Sequence, residues 1–423
     1  MSPRVRPLVP GGRRPRRRGL GELFDPDLST PSARALRFFV TDHSGHRGSY
    51  AEDVAAVTTT LVDTRSLSYR QTFAERSGRW RLTATYVTDP ARHTVLTDVS
   101  FTPSKPGNRF DVYAVYEPTP ANSRTANSGA TQGDALTATH VPSSSALVGR
   151  PAFTATSSGY RGTSDGPTDL RGDGRMDWHY SSAAPGNLVQ TAQLAIGRGG
   201  HATVALGFGG SPSSALSAAR GSLATAFGPV ASAYAAGWHA YVASLKAAPP
   251  SLTAADQRTL YRASAMTLAA SEDKIHRGAY VASHTMPWIW GKEAPSGPYH
   301  LVWSRDLYQI ATALIAYGDT TGGDGALDFL FDEQQKSDGS FPQNSTTDGT
   351  PFWGGLQLDE VALPIVLAHQ LGRSDAGTWS HVESAANFLI GFQQDEHTAP
   401  WSPQDRWENQ SGYSPATIAS EIA

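Results

Sequence analysis

The run Tyr299-His-Leu-Val-Trp-Ser-Arg-Asp306 brings two aromatic rings, a guanidinium and a carboxyl group together just ahead of an amphipathic segment. Some hundred residues later, Arg406-Trp-Glu408 sets another carboxyl group beside an indole. These residue types suit a pyranose ring, with apolar C–H faces for an aromatic platform and a hydroxyl rim for charged donors and acceptors. Arg305 and Asp306 together could clamp adjacent hydroxyls, one as donor and one as acceptor, which discriminates strongly among sugars. A carboxyl group against a Trp is a candidate acid, because an apolar neighbour raises its pKa.

Each group also has a plainer reading. Asp306 could simply cap the helix that starts at Leu307, leaving Arg305 on the surface. Trp303 and Trp353 could be core aromatics, although Trp353 sits in a Gly-Thr-Pro loop with little helix around it, which favours a stacking platform. Asp359-Glu360 could be a helix N-terminal charge pair complementing the dipole. Composition alone ranks Glu408 first as an exposed loop carboxylate paired with Arg406. The acidic series Asp165, Asp169, Asp173, Asp177 invites a calcium reading, but its even four-residue spacing does not match a compact calcium loop; solvated turns are expected.

Elements that must position these groups follow from periodicity. From about Leu36 to Gly210, apolar residues alternate in short runs broken by turns: Trp80, Leu82, Ala84, Tyr86; then Val95, Val99, Phe101; then Phe110, Val112, Ala114, Tyr116. Period two with regular turn signals predicts antiparallel sheet in a large sandwich. Residues 119–146, rich in Ser, Thr, Ala and Asn, read as a long solvated loop with one strand at most. The period changes near Ala215. Residues 215–247 are Ala-rich with helical spacing and stop at Pro249-Pro250. Beyond Leu252, Leu307, Ile310, Ala311, Leu314 and Ile315 keep helical spacing, as do Val382, Ala385, Ala386, Leu389 and Ile390. A further helix over 358–371 stops at Gly372, with Pro364 inside it. Sheet first and helices after is α+β by segregation. The expected parts are an Arg-rich disordered tail over 1–21, a sandwich over 22–214, a helical linker over 215–251 and a helical toroid from 252 onward.

With 423 residues the chain can bury sizeable cores, and its net charge of −3 gives no reason to expect nucleic acid as a partner. No cysteine is present, which excludes disulfides, thiolate metal sites and a cysteine nucleophile. No run approaches the length of a membrane span. The tail carries Arg4, Arg6, Arg13, Arg14, Arg16, Arg17 and Arg18 without an apolar stretch after it, and so does not read as a secretory signal.

At Tyr299–Asp306, Pro342-Gln-Asn344, Gly355-Leu-Gln-Leu-Asp-Glu360, Arg406-Trp-Glu408 and Gly412-Tyr-Ser-Pro415, the chain resembles bacterial glucoamylases and glucodextranases of glycoside hydrolase family 15. Ser66-Leu-Ser-Tyr-Arg-Gln71 and Tyr86-Val-Thr-Asp-Pro90 resemble their N-terminal β-domain. The resemblance implies a β-supersandwich, a helical linker and the first half of an (α/α)6 barrel. It implies exo-acting, inverting hydrolysis of α-glucosidic bonds in an α-glucan oligo- or polysaccharide, by a monomer without metal or organic cofactor. Carried over, Glu408 is the general acid. Tyr299, Trp303, Arg305, Asp306 and Trp407 bind the terminal glucose, Trp353 is the platform near the scissile bond, and Gln357 and Asp359 lie in its supporting loop. In inverting enzymes a second carboxylate, roughly 6.5–9.5 Å from the acid, activates water.

Some positions depart from the family pattern. Ser304 stands where bacterial members usually have Pro, and Asn409 replaces the second Glu usual after the acid. The first β-domain strands are not recognisable. The family's general base falls beyond residue 423, with about half of the barrel's helices, so the 423-residue chain is expected to be inactive or nearly so. Disaccharide phosphorylase, trehalase and a non-catalytic glucan-binding fragment are the competing readings.

Overall fold

The computed structural model describes residues 4–5, 19–42, 48–105, 107–196, 200–284 and 299–423. The Arg-rich tail expected to be disordered lies almost wholly outside the described residues. Its Arg4–Val5 backbone forms a short strand paired with Leu23–Phe24. Contacts divide the chain into two units. The first takes the described residues up to Ala240 except Asp27–Ser29; the second takes Asp27–Ser29 and the described residues from Tyr241 onward.

The first unit holds two antiparallel sheets. One is seven-stranded and centres on Pro31–Asp42, Phe110–Pro118, Leu188–Gln193 and Ala155–Tyr160. The other has nine strands, running from Ser182–Gly186 through Asn127–Gln132, Ala135–His140, Ser143–Arg150, His201–Gly209, Thr94–Pro103, Trp80–Thr88 and Tyr69–Glu75 to Ala55–Leu61. Alternation along each strand decides what lies between them. Val112, Ala114 and Tyr116 join Trp80, Leu82, Ala84, Tyr86, Val204 and Leu206 in one core. From the same strand Tyr113 and Val115 turn the other way and pack with Phe39, Val189, Leu170 and Met176. Both faces of this strand are therefore covered by apolar side chains.

Residues 119–146 correct the loop reading: they contain two complete strands and the start of a third, the second to fourth strands of the nine-stranded sheet. Low hydropathy there reflects small side chains under close packing. Ser144, Ser145 and Ala146 are fully buried, and Ser145 accepts the hydroxyl of Tyr116 at 2.8 Å.

The Ala-rich region is two helices, Pro212–Thr225 and Phe227–Ser244, separated by Ala226 at φ 71°. Ala219, Leu223 and Val230 pack on Val87, Leu96, Val148 and Ala205 of the nine-stranded sheet. Gly207 allows this approach: a Cβ there would lie 2.4 Å from the Ala215 carbonyl oxygen and 2.7 Å from the Ala219 nitrogen. Gly207→Val should therefore destabilise the first unit by about 2–3 kcal/mol through overpacking, read as a lower midpoint in denaturant unfolding.

The second unit is helical: Ala255–Ala270, Ser304–Tyr317, Thr320–Asp328, Leu358–Leu371, Ala376–Gly391 and Pro415–Ile422. Its core draws Leu307, Ala311 and Leu314 against Leu327, Leu330, Val361, Leu367 and Ala385, as the sequence spacing requires. Glycines in the left-handed region end two helices, Gly318 at φ 91° and Gly372 at φ 67°.

Candidate functional site

The helix begins at Ser304 with Trp303 as its N-cap, so Arg305 and Asp306 lie in its first turn. Asp306 is not the cap. Val302 and Ser345 exchange backbone hydrogen bonds of 2.9 Å, and Gln334 Nε2 donates to the Val302 carbonyl at 2.9 Å. This ladder sets the helix start beside the hairpin Asn344–Ser345/Pro351–Trp353. Trp353 N donates to the buried Asn344 Oδ1 at 2.9 Å, fixing the hairpin edge. Three of the expected aromatics consequently meet. Trp303 stacks on Tyr299 with centroids 5.6 Å apart, and Trp353 meets Trp303 edge-on at 5.7 Å.

Arg305 is held from below. Its Nη1 donates to Gln357 Oε1 at 2.6 Å and Asp359 Oδ2 at 3.0 Å, and lies 3.1 Å from Glu360 Oε1. Gln357, Asp359 and Glu360 are all buried at the start of the helix Leu358–Leu371. The reading of Asp359-Glu360 as a solvated dipole pair is thereby replaced by one of two buried carboxyls under a guanidinium. The Asp306 carboxyl, partly buried in the first turn, hydrogen-bonds its own backbone N–H and no other side chain among the described residues. Burial raises its pKa, Arg305 opposes the rise, and Asp359 and Glu408 add to it.

Glu408 is presented by a tight loop. Asp405 accepts from Trp407 N at 3.0 Å, Asn409 N at 3.4 Å and Gln410 Nε2 at 3.3 Å. Glu408 itself sits at φ 65°, a strained conformation for a non-glycine residue, and such residues cluster at functional sites. Its Oε1 accepts the indole N–H of Trp303 at 3.3 Å. A row of amides reaches the same loop from Arg305: Gln357 Nε2 donates to Gln404 Oε1 at 3.2 Å, and Gln404 Nε2 to the Glu408 carbonyl at 3.3 Å. The expected Arg406–Glu408 pairing is absent among the described residues; the Arg406 guanidinium lies over the Trp407 ring instead, 5.5 Å from its centroid. Trp407 is the outlier of the sequence-derived set, with 72 % exposure and no ring contact to Trp303 among the described residues.

Residues 17–243 match the family model described as Glucodextranase, domain N, and residues 255–338 and 330–423 match that of Glycosyl hydrolases family 15. The chain belongs to glycoside hydrolase family 15. A glucoamylase of Clostridium sp. (strain G0005) is 33 % identical over 410 residues, covering 96 % of this chain and 56 % of that protein. The crystal structure of a bacterial glucoamylase complexed with acarbose superposes with TM-score 0.88 at 31 % identity, over 96 % of this chain and 59 % of that one. The chain thus spans less than two thirds of the length of these relatives. As in that family fold, an antiparallel β-sandwich precedes part of a helical barrel.

The sequence reading gave no role to Gln404, Asp405 or Asn344, which hold the Glu408 loop and the Trp353 hairpin, and weighed Glu360 as a helix-start charge. Asp405-x-Trp407 carried a usable signal, because Asp accepts readily from the backbone two residues on. The acidic series is also resolved. Asp165 caps the helix Gly166–Asp173 through Thr168 N, and Asp169 Oδ2 accepts from Asp177 N and Trp178 N, each at 2.8 Å. These two are buried backbone acceptors and not solvated turns. No group of three or more His, Asp or Glu able to hold a metal occurs among the described residues.

Raised carboxyls give the helical unit a pH signature. Burial raises Glu360, Asp306 and Glu421, the last to about 7, and Asp359 adds to the rise at each. A raised folded pKa means stability fully present below the unfolded value and lost as pH climbs through the folded one. Asp338, Asp348 and Asp375 are lowered and act only in the acid range. The unfolding midpoint of this unit should therefore fall from pH 5 to pH 8, as followed by a thermal scan at each pH.

Proposed function

We propose that this chain carries the sugar-binding half and the general acid of an exo-acting, inverting α-glucosidase of glucoamylase type. The observation that carries the reading is one arrangement: Asp306 open beside an anchored Arg305, the Trp303–Trp353 pair, and Glu408 hydrogen-bonded to Trp303. In this reading Arg305 and Asp306 clamp hydroxyls of the non-reducing glucose. Tyr299 and Trp303 wall it, and Trp353 carries the next ring. Gln357 and Asp359 hold Arg305, while Trp407 contributes from the rim. Glu408 protonates the departing glycosidic oxygen, and inversion requires a second carboxylate to activate water from the opposite face. The acarbose bound in the similar glucoamylase structure supports an α-glucan ligand here.

We propose the parts as a sandwich over 22–214, a helical linker over 215–251 and the barrel portion from 252. The 423-residue chain on its own is proposed to bind glucan ends with little or no turnover, as a monomer. The test is a titration of the purified chain with maltose, isomaltose, trehalose and cellobiose. Binding of α-glucosides with cellobiose silent supports the reading, and the order among the first three assigns the linkage. Equal binding of cellobiose, or silence from every α-glucoside, overturns it.

A further inference from the structure

Pro364 lies inside the helix Leu358–Leu371 and has no N–H to donate to the carbonyl four residues back, that of Glu360. Ser304 supplies the missing donor: its Oγ lies 2.7 Å from the Glu360 carbonyl oxygen. The same hydroxyl also hydrogen-bonds Glu360 Oε2. Arg305 N donates to that Oε2 at 2.8 Å, and Arg305 Nη1 approaches Oε1 at 3.1 Å. Glu360 is fully buried.

Proton counting decides what this arrangement needs. A Ser hydroxyl has one proton, and an ionised Glu360 would present it with two buried acceptors, the carboxylate and the carbonyl. A neutral Glu360 removes the conflict: its carboxyl O–H donates to Ser304 Oγ, and the Ser304 hydroxyl donates onward to the Glu360 carbonyl. Oε2 still accepts from Arg305 N, and Oε1 is left facing the Arg305 guanidinium at 3.1 Å without a hydrogen bond of its own.

We propose that Glu360, in its neutral form, is a positioning residue that locks the Ser304–Arg305 turn and aims the Arg305 guanidinium at a sugar hydroxyl, using Ser304 to bridge the gap left by Pro364. This rests on the reading of Arg305 as half of the glucan clamp. Burial raises the Glu360 pKa, with Arg305 opposing and Asp359 reinforcing, in line with a neutral group. The charged side chains facing it are Arg305 and Asp359; Asp306, Glu408 and Glu421 lie one step further out. A Pro at position 304, usual in the bacterial members the chain resembles, could not make this bridge.

Two measurements on the full 423-residue chain test the proposal. The first is a ¹³C titration of labelled glutamates, with the Glu360 signal assigned by Glu360→Gln; it needs no sugar. Glu360 should remain protonated well above the ordinary carboxylate range, and ionisation by pH 6 overturns the proposal. The second is maltotriose affinity at pH 6 and pH 9. The wild type should weaken about tenfold as Glu360 ionises, a change of about 1.4 kcal/mol, while Glu360→Gln shows a flat profile. Equal slopes in the two proteins overturn the positioning role. Silence from maltotriose at both pH values sinks the clamp reading, and the sugar-free titration shows separately whether Glu360 is neutral. Should Glu360→Gln not fold, Ser304→Ala is compared alone and with Pro364→Ala, which restores a backbone donor for the Glu360 carbonyl. The Ser304→Ala loss in affinity should shrink severalfold in the Pro364→Ala background; simple additivity overturns the bridge.

Discussion

Asp306→Asn should lower the affinity of the chain for maltotriose about 100-fold. The side chain sits in the first turn of the Ser304–Tyr317 helix, is partly buried, and bonds its own backbone N–H but no other side chain among the described residues. Asn preserves its volume, but it trades an acceptor-only carboxylate for an amide whose N–H₂ faces hydroxyls that must now turn round. Truncating one partner of a buried, hydrogen-bonded charge contact typically costs about 2–5 kcal/mol, which sets the expected scale. Arg305→Lys should show a similar loss, because a point charge cannot keep the Gln357 and Asp359 contacts and still present a donor to the sugar. Calorimetry reads both. A change below about threefold for Asp306→Asn would remove this residue from the clamp.

Glu408→Gln should abolish proton delivery while leaving the binding surface nearly intact. Wherever hydrolysis is measurable, on this chain or on a longer protein carrying it, kcat should fall by about 10²–10⁴-fold. Gln keeps an acceptor for Trp303 Nε1, and the loop is organised by Asp405, so maltotriose affinity should stay within severalfold of wild type. That separation of kcat from affinity is diagnostic of an acid that acts on the leaving group. A matching loss in affinity would make Glu408 a binding residue instead. Activated substrates give a second readout. A glucoside with a good leaving group needs little protonation, so the variant should recover much of its rate on it.

Much of this arrangement was legible in the residue order, and the exceptions have physical causes. Alternation at Trp80–Tyr86 and Phe110–Tyr116 placed the sandwich core correctly because large apolar residues fill the space between the sheets. Residues 119–146 were misread because Ser144, Ser145 and Ala146 are buried by close packing, which hydropathy does not report. Tyr299, Trp303, Arg305 and Trp353 converge through a backbone ladder between Val302 and Ser345, a pairing no local pattern announces. Glu360 looked like a helix-start charge because its burial depends on Ser304 and Arg305 from another helix. Pro364 was the available clue, since a proline inside a helix leaves a carbonyl that something else must serve. Trp407, expected by resemblance beside the terminal glucose, is turned out to solvent beside Arg406 by the Asp405-organised loop, an orientation that residue order does not report.

The most direct test of the central claim is calorimetric titration of the purified 423-residue chain with acarbose, repeated on Arg305→Ala. The account predicts a single saturable site in the wild type whose heat is lost in the variant, with the variant's thermal unfolding otherwise two-state. No heat from the wild type, or equal binding by both proteins, would contradict the assignment of Arg305, Asp306 and the Trp303–Trp353 pair as a glucan-binding site.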